Sequence, residues 1–359
     1  MPAIAVVVAS HERPLRLRWL LNALAKQELD RAQWELVVCF DDAGEETAEL
    51  LAGHELAGAG VLHAIRLPAQ TGSAARQRNA GWRAARAPLV AFTDDDCRPP
   101  ASWLAAALSA AREHPGAIVQ GATRPDPAEA HLVAAPHART QRVEPPVPWA
   151  QTCNVVYPRS VLEATGGFDE ALTAGEDTEL ALRARAGGAA YVGAPGVLTY
   201  HCVEAGGLRA KLRSVPRWAG LAGVVRAHPV VRRELVLGLF WRRSHALAPL
   251  ALLGLATACG VGARRRPGTR RVLERCRPPA TRRPVLAAPS APGNGRSPWR
   301  RVVGLALALP YALDAAPRYG SGPRARLRGV VELPGRAAVD LAEIAALARG
   351  SLRHRTVIL

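Results

Sequence analysis

Pro88-Leu-Val-Ala-Phe-Thr-Asp-Asp-Asp96 decides the fold. Pro88 to Thr93 is an apolar segment that reads as a buried strand, and three carboxylates follow it without a spacer. Adjacent acids at the carboxyl end of a buried strand repel one another, so folding there costs free energy unless a cation takes up the charge. In an extended backbone alternate side chains share a face, so Asp94 and Asp96 are expected to point into one crevice and Asp95 away from it. An isolated acidic cluster has a second reading, a solvated turn that caps the following helix. The surrounding sequence weighs against it.

Working outward, Ile4 to Ala9, Glu35 to Phe40, Val61 to Leu67 and Leu89 to Thr93 are continuous in Val, Ile, Leu or Phe rather than alternating. Such strands belong to a sheet covered on both faces. Helical patterns lie between them at Leu15 to Gln27, Glu45 to Leu51 and Ser73 to Arg86. The order β-α-β-α-β-α-β specifies an α/β fold with a largely parallel, doubly wound sheet. Ligands of these sheets bind outside the carboxyl ends of the strands, where Ser10, Asp41, Asp42 and Asp94 to Asp96 fall. No G-x-G-x-x-G follows the first strand and no G-x-x-x-x-G-K-[ST] occurs, which disfavours dinucleotide dehydrogenases and P-loop enzymes.

With 359 residues, 49% hydrophobic and 21% charged, the chain has the composition of a packed protein rather than a disordered one. The net charge of +17 is carried by arginine, with Lys26 and Lys211 the only lysines, and it is concentrated after about residue 205. That balance favours phosphate groups or an acidic lipid surface; no nucleic-acid recognition motif accompanies it. Six cysteines without C-x-x-C or zinc spacing read as reduced thiols in a cytoplasmic setting. The apolar stretch Ala3 to Ala9 is short for a signal peptide and reads as the first strand.

Val6-Val-Val-Ala-Ser10, Val37-Val-Cys-Phe-Asp-Asp42, Ala75-Arg-Gln-Arg-Asn-Ala-Gly81, Ala91-Phe-Thr-Asp-Asp-Asp96, Gly166-Gly-Phe-Asp-Glu170 and Gly175-Glu-Asp-Thr-Glu-Leu180 resemble, in order, the motifs of family-2 glycosyltransferases with the GT-A fold. The resemblance covers about residues 3 to 205 and implies a nucleotide-diphospho-sugar donor, a divalent metal and inversion at the anomeric carbon. It implies that Asp41 accepts a hydrogen bond from the donor's base, while Asp42 either assists or caps the next helix. The family usually continues this motif with Gly-Ser, and here Ala43-Gly44 stands instead. Arg76, Arg78 and Asn79 match its nucleotide-pocket segment; Arg76 has the simpler reading of an exposed basic face behind a Ser73 cap. Thr71-Gly-Ser73, before that helix, suits an anion.

Within the acidic run, the resemblance makes Asp96 the leading metal ligand and puts Asp94 on the donor's sugar or the metal's waters, with Asp95 in the same donor site. Oxygen ligands beside a diphosphate select Mn2+ or Mg2+ over zinc. Glu176 and Asp177 open a helix, where the dipole favours acids. The resemblance gives Asp177 the role of general base, with Glu176 orienting it or bonding the acceptor. Arg183 has no assigned role and reads as solvated. His201 stands where relatives complete the metal site, and a structural histidine is the alternative. Trp149 and Asn154 are weaker candidates for acceptor contact.

No Q-x-x-R-W follows the base, which favours a single addition over processive synthesis. The carbohydrate acceptor is expected to be lipid-linked or part of the cell envelope, or else a small metabolite. Residues 1–215 are expected to form the transferase domain, with 1–100 taking the nucleotide sugar and 101–215 the acceptor. A helical apolar segment at 216–263, an Arg/Pro-rich linker at 264–300 and a helical tail at 301–359 follow. Ala246 to Ala263 is uncharged over 18 residues, marginal for a membrane span. Its arginine flanks favour a place at the inner membrane face, and the alternative is an appendage packed on the domain. A nucleotidyltransferase and a non-catalytic scaffold are the competing functions.

Overall fold

A computed structural model describes residues 1–68, 73–259 and 298–359. The strands are β1 (Ile4–Ser10), β2 (Trp34–Phe40), β3 (Leu62–Arg66), β4 (Leu89–Asp94), β5 (Cys97–Arg98), β6 (Ile118–Pro125), β7 (Val155–Pro158) and β8 (Tyr191–His201). They form one sheet in the order β3-β2-β1-β4-β7-β6-β8-β5. The pairs among β1 to β4 are parallel, whereas β7 runs antiparallel to β4 and β6, and β5 to β8. The fold is thus an α/β sheet, mostly parallel, with antiparallel insertions that carry the second half of the domain.

Helices α1 (Pro14–Leu24), α2 (Glu46–Ala52), α3 (Glu55–Gly58), α4 (Ala74–Ala84), α5 (Trp103–Glu113), α6 (Arg159–Thr165) and α7 (Glu176–Ala186) cover it. Leu17, Leu20, Leu21 and Leu24 recur at helical spacing and bury one stripe of α1. They share a core with Ile4, Val6 and Val8, while Ala5 and Val7 point to the other face and pack with Ala75 and Trp82 of α4 and Leu180 of α7. Burial on both faces is why β1, β2 and β4 read as continuous apolar runs. β3 departs from that expectation: it is the sheet's edge, and of its five residues only Leu62 is buried.

After β8 come α8 (Gly207–Ser214), α9 (Leu221–Ala227), α10 (Arg243–Cys259), α11 (Pro298–Ala315) and α12 (Pro323–His354). The first compact unit comprises Met1–Leu239 together with Ala342–Leu359; Phe240–Leu341 is the second. The sheet-bearing unit therefore extends past the expected boundary at 215 and takes back the last residues. There Leu347 and Ile358 are fully buried, and Glu343 pairs with Lys211 at 3.2 Å.

In the second unit α10 and α11 touch backbone to backbone. A Cβ on Gly254 would lie 2.4 Å from the carbonyl oxygen of Gly304, so only glycine allows the crossing. Their outward faces expose Leu252, Leu253, Leu255, Val302, Leu305 and Leu309. Among the described residues no helix is long and apolar enough to cross a membrane. The end of the uncharged run, 260–263, and most of the expected linker, 264–297, lie outside the described residues.

Candidate active site

The carboxyl ends of β1, β2 and β4 meet as the sheet order requires. Parallel pairing puts Ala9 beside Asp94, so Ser10 reaches the acidic turn and its Oγ donates to Asp95 Oδ2 at 2.9 Å. Asp41, just past β2, is buried. Its Oδ1 accepts from Gln77 Nε2 at 2.9 Å and lies 2.7 Å from His11 Nδ1. Gln77 also donates to the Ser10 carbonyl, tying two strand ends together. Asp42 accepts from the Glu12 backbone N–H at 2.6 Å and from the Thr47 hydroxyl. It fixes the β1–α1 loop to the Thr47 side chain of α2, whose N-cap is Glu45. Arg76 is exposed in the first turn of α4, where Ser73 Oγ accepts its backbone N–H; Thr71 and Gly72 lie outside the described residues.

β4 ends at Asp94, and Asp95-Asp96 form a turn before β5. Strand alternation therefore stops one residue too early to turn Asp95 out of the site, which corrects that expectation. Arg13 instead gathers both acids, with Nη1 donating to Asp96 Oδ2 at 2.7 Å and Nη2 lying 3.2 Å from Asp95 Oδ1. Burial pushes the Asp95 carboxyl up to about 7 against the pull of Arg13. Burial also opposes ionisation of Asp96, but His201 and Arg13 outweigh it and hold that carboxyl below its ordinary range.

Antiparallel pairing sets Cys97 opposite His201 and brings the end of β8 to Asp96. His201 Nδ1 lies 2.8 Å from the Cys202 carbonyl. A carbonyl only accepts, so Nδ1 carries a proton, and in the neutral ring Nε2 presents a lone pair. Nε2 lies 3.5 Å from Asp96 Oδ1, a buried oxygen without a hydrogen-bond partner. Two lone-pair donors facing each other in a buried place fit a cation between them. Cys202 Sγ, 3.3 Å from Asp96 Oδ2, joins the same cluster.

Arg78 links the two halves of the domain. It is nearly buried, and its Nη2 donates to Asp94 Oδ1 and its Nη1 to Glu176 Oε1, each at 2.8 Å. Asp177 follows Glu176 in the first turn of α7, and its Oδ1 accepts the Thr178 backbone N–H at 2.8 Å. Burial, with the charge of Glu176 adding, pushes the Asp177 carboxyl up to about 7. That is a better base at neutral pH than an ordinary aspartate.

Three candidates turn out to be engaged elsewhere. Asn79 donates to the Phe168 carbonyl and Glu170 Oε1 while its Oδ1 accepts from the Phe168 backbone and Trp82. It clamps the Gly166–Glu170 turn, which corrects the expectation of a donor contact. Asn154 is buried, donating to the Ala122 and Val197 carbonyls and accepting from Trp103, so it does not face an acceptor. Arg183 is not simply solvated: it binds Glu179 and the carbonyls of Thr165 and Gly167. Trp149 is half-buried, and its carbonyl accepts from Thr178.

Sequence reasoning passed over Arg13, Gln77 and Cys202, each brought to the carboxylates by sheet order. It also passed over Ser214-Val-Pro-Arg217-Trp218, which keeps the Arg-Trp end of the absent Q-x-x-R-W with serine in place of glutamine.

A mostly parallel sheet whose strand ends gather acids is the setting in which α/β domains bind their ligands. Residues 5–166 match the model of glycosyl transferase family 2. No curated protein matches the chain. The mannosyltransferase PcManGT from Pyrobaculum calidifontis, in complex with GDP-Man and Mn2+, superposes with a TM-score of 0.54 at 17% identity, over 99% of this chain and 87% of that one. S. aureus TarS 1-349 in complex with UDP-GlcNAc superposes at 0.52 and 15% identity, over 99% and 93%. Another superposition on S. aureus TarS, at 0.50 and 18%, covers 71% of this chain and 43% of that one. At these identities the likeness establishes the GT-A fold.

Proposed function

We propose that the protein is a metal-dependent, inverting glycosyltransferase that moves one sugar from a nucleotide-diphospho-sugar to an acceptor hydroxyl. The observation that carries this reading is Arg78, whose single guanidinium holds Asp94 from the donor half and Glu176 from the acceptor half. A donor sugar at Asp94 would then lie near the candidate base, Asp177, which follows Glu176. Asp177 would take the acceptor's proton as that oxygen attacks the anomeric carbon, and Glu176, fixed by Arg78, would orient it. Asp41 would accept from the donor's base, with Gln77 holding its carboxylate in place. Asp96 and His201 would hold Mn2+ or Mg2+, whose charge would stabilise the departing nucleoside diphosphate. The PcManGT and TarS complexes, with GDP-Man and Mn2+ and with UDP-GlcNAc, support this donor class.

A lipid-linked or cell-envelope acceptor at the inner membrane face is part of the proposal. Its support is the α10–α11 pair: a glycine-to-glycine crossing typical of helix packing in lipid, outward leucines and valines, and Arg242 and Arg243 at the start of α10. That combination suits shallow insertion into an anionic leaflet.

The test is a thermal-shift screen of the full chain with UDP-, GDP- and dTDP-sugars, each with Mn2+ or EDTA. Ligand at about one hundred times its dissociation constant stabilises by roughly 2.7 kcal/mol. A manganese-dependent shift with one nucleotide, absent in Asp96→Ala, is expected. Should no donor shift the folded protein, the catalytic reading falls and the scaffold takes its place.

A further inference from the structure

Asp96, His201 and Cys202 are all buried, and each offers one ligand atom within 4.8 Å of the other two. Two of these groups are the expected metal ligands; the third is a thiol. Bonds of about 2.0–2.3 Å at tetrahedral angles put neighbouring donor atoms roughly 3.3–3.7 Å apart. The protein already holds His201 Nε2 at 3.5 Å from Asp96 Oδ1, and Cys202 Sγ at 3.3 Å from Asp96 Oδ2. The backbone fixes the spacing, because the Cys202 N–H donates to the Asp96 carbonyl at 3.0 Å and the Cys202 carbonyl holds His201 Nδ1. Asp96 Oδ1, without a hydrogen-bond partner, faces the gap. Arg13 and the Cys202 thiol both donate to Oδ2, leaving Oδ1 to a cation.

One carboxylate oxygen, one imidazole nitrogen and one sulfur form the donor set of a thiophilic cation. Magnesium prefers six oxygens and keeps its waters. We propose that Cys202 makes this site selective for thiophilic divalent cations, so that Zn2+ or Cd2+ binds more tightly than the Mn2+ or Mg2+ that serves the reaction and displaces it. On coordination the thiol proton now donated to Asp96 passes to solvent. The proposal rests on the assignment of Asp96 and His201 as metal ligands, and it leaves Mn2+ or Mg2+ as the ion that serves the reaction.

The experiment is a Co2+ titration of the full chain followed in the near ultraviolet, with Zn2+ and Mg2+ competition and Mn2+ binding read by electron paramagnetic resonance. Wild type is expected to show a thiolate-to-cobalt charge-transfer band that Zn2+ abolishes and Mg2+ does not. Cys202→Ser is expected to lose the band and to bind Zn2+ at least about tenfold more weakly, with Mn2+ affinity nearly unchanged. Exposed Cys259 contributes a background, read directly in that variant. A band of undiminished intensity in Cys202→Ser, or equal losses of Zn2+ and Mn2+ affinity, overturns the proposal. If serine unfolds the site, the wild-type spectrum reads the thiolate directly, and Co2+ that binds wild type without a charge-transfer band refutes the proposal. The two readings fail separately. Thiolate-bound cobalt in a protein that no nucleotide sugar stabilises leaves Cys202 standing and removes the transferase, whereas donor binding with no cobalt band does the reverse.

Discussion

Asp177 illustrates how a single residue sets function against stability. Its carboxyl ionises at about 7, against an ordinary value of 3.8. Turnover should therefore rise with pH through about 7 and level off above it, and Asp177→Asn should abolish turnover while leaving donor binding intact. Stability runs the other way. Between about pH 4 and 7 the native state holds a proton that the unfolded chain has released, so stability falls as pH rises and the full cost is present above 7. Asp177→Asn should then melt a few degrees higher than wild type at pH 8, a gain that shrinks towards pH 4; calorimetry across that range checks it. Arg78→Lys should lose roughly 2–4 kcal/mol together with activity, because an ammonium cannot reproduce the fork between Asp94 and Glu176. Denaturant unfolding of that variant provides the measurement. The acids at the strand ends were legible because a strand followed by carboxylates is a local pattern. Arg13 and Cys202 were not, since they meet Asp96 across 83 and 106 residues, and only the β1–β4 and β5–β8 pairings join them.

At the scale of elements, the Gly166-Gly167 turn ends α6. Both residues have left-handed backbone, at φ +76° and +82°, but their surroundings differ. A Cβ on Gly166 meets nothing, whereas one on Gly167 would lie 2.4 Å from Asn79 Oδ1 and 2.6 Å from Trp82 Nε1. Gly166→Ala should cost about 1 kcal/mol from backbone strain alone. Gly167→Ala should cost at least about 2–3 kcal/mol and lower activity, because the clamp from Asn79 has to open. Urea midpoints of the pair separate the two effects. Sequence reasoning placed the turn and the start of α7 correctly because glycine pairs and acidic first turns are short-range signals. It assigned Asn79 to the donor because a motif says which residues cluster without saying what each one touches.

For the whole molecule, the α10–α11 pair should carry membrane association. The full chain should co-float with vesicles containing anionic phospholipid and less with zwitterionic ones, and Leu253→Glu with Leu305→Glu should abolish flotation without lowering the melting temperature. A cofloating double variant would move the contact to another surface. The sheet and its flanking helices were readable from periodicity. The return of Ala342–Leu359 to the first unit was not, because no local pattern encodes which distant surface a terminal helix covers.

That return has a consequence for synthesis. Roughly one hundred residues separate Leu239 from Ala342, which at about 5–20 residues per second take roughly 5–20 s to translate. Throughout that interval the nascent unit has its sheet and its acidic crevice but lacks the partner of Lys211 and the side chains of Leu347 and Ile358. The second unit leaves the ribosome before Ala342–Leu359, and with it the leucine-lined helices. The lipid contact proposed for those helices would then be able to form before the first unit closes.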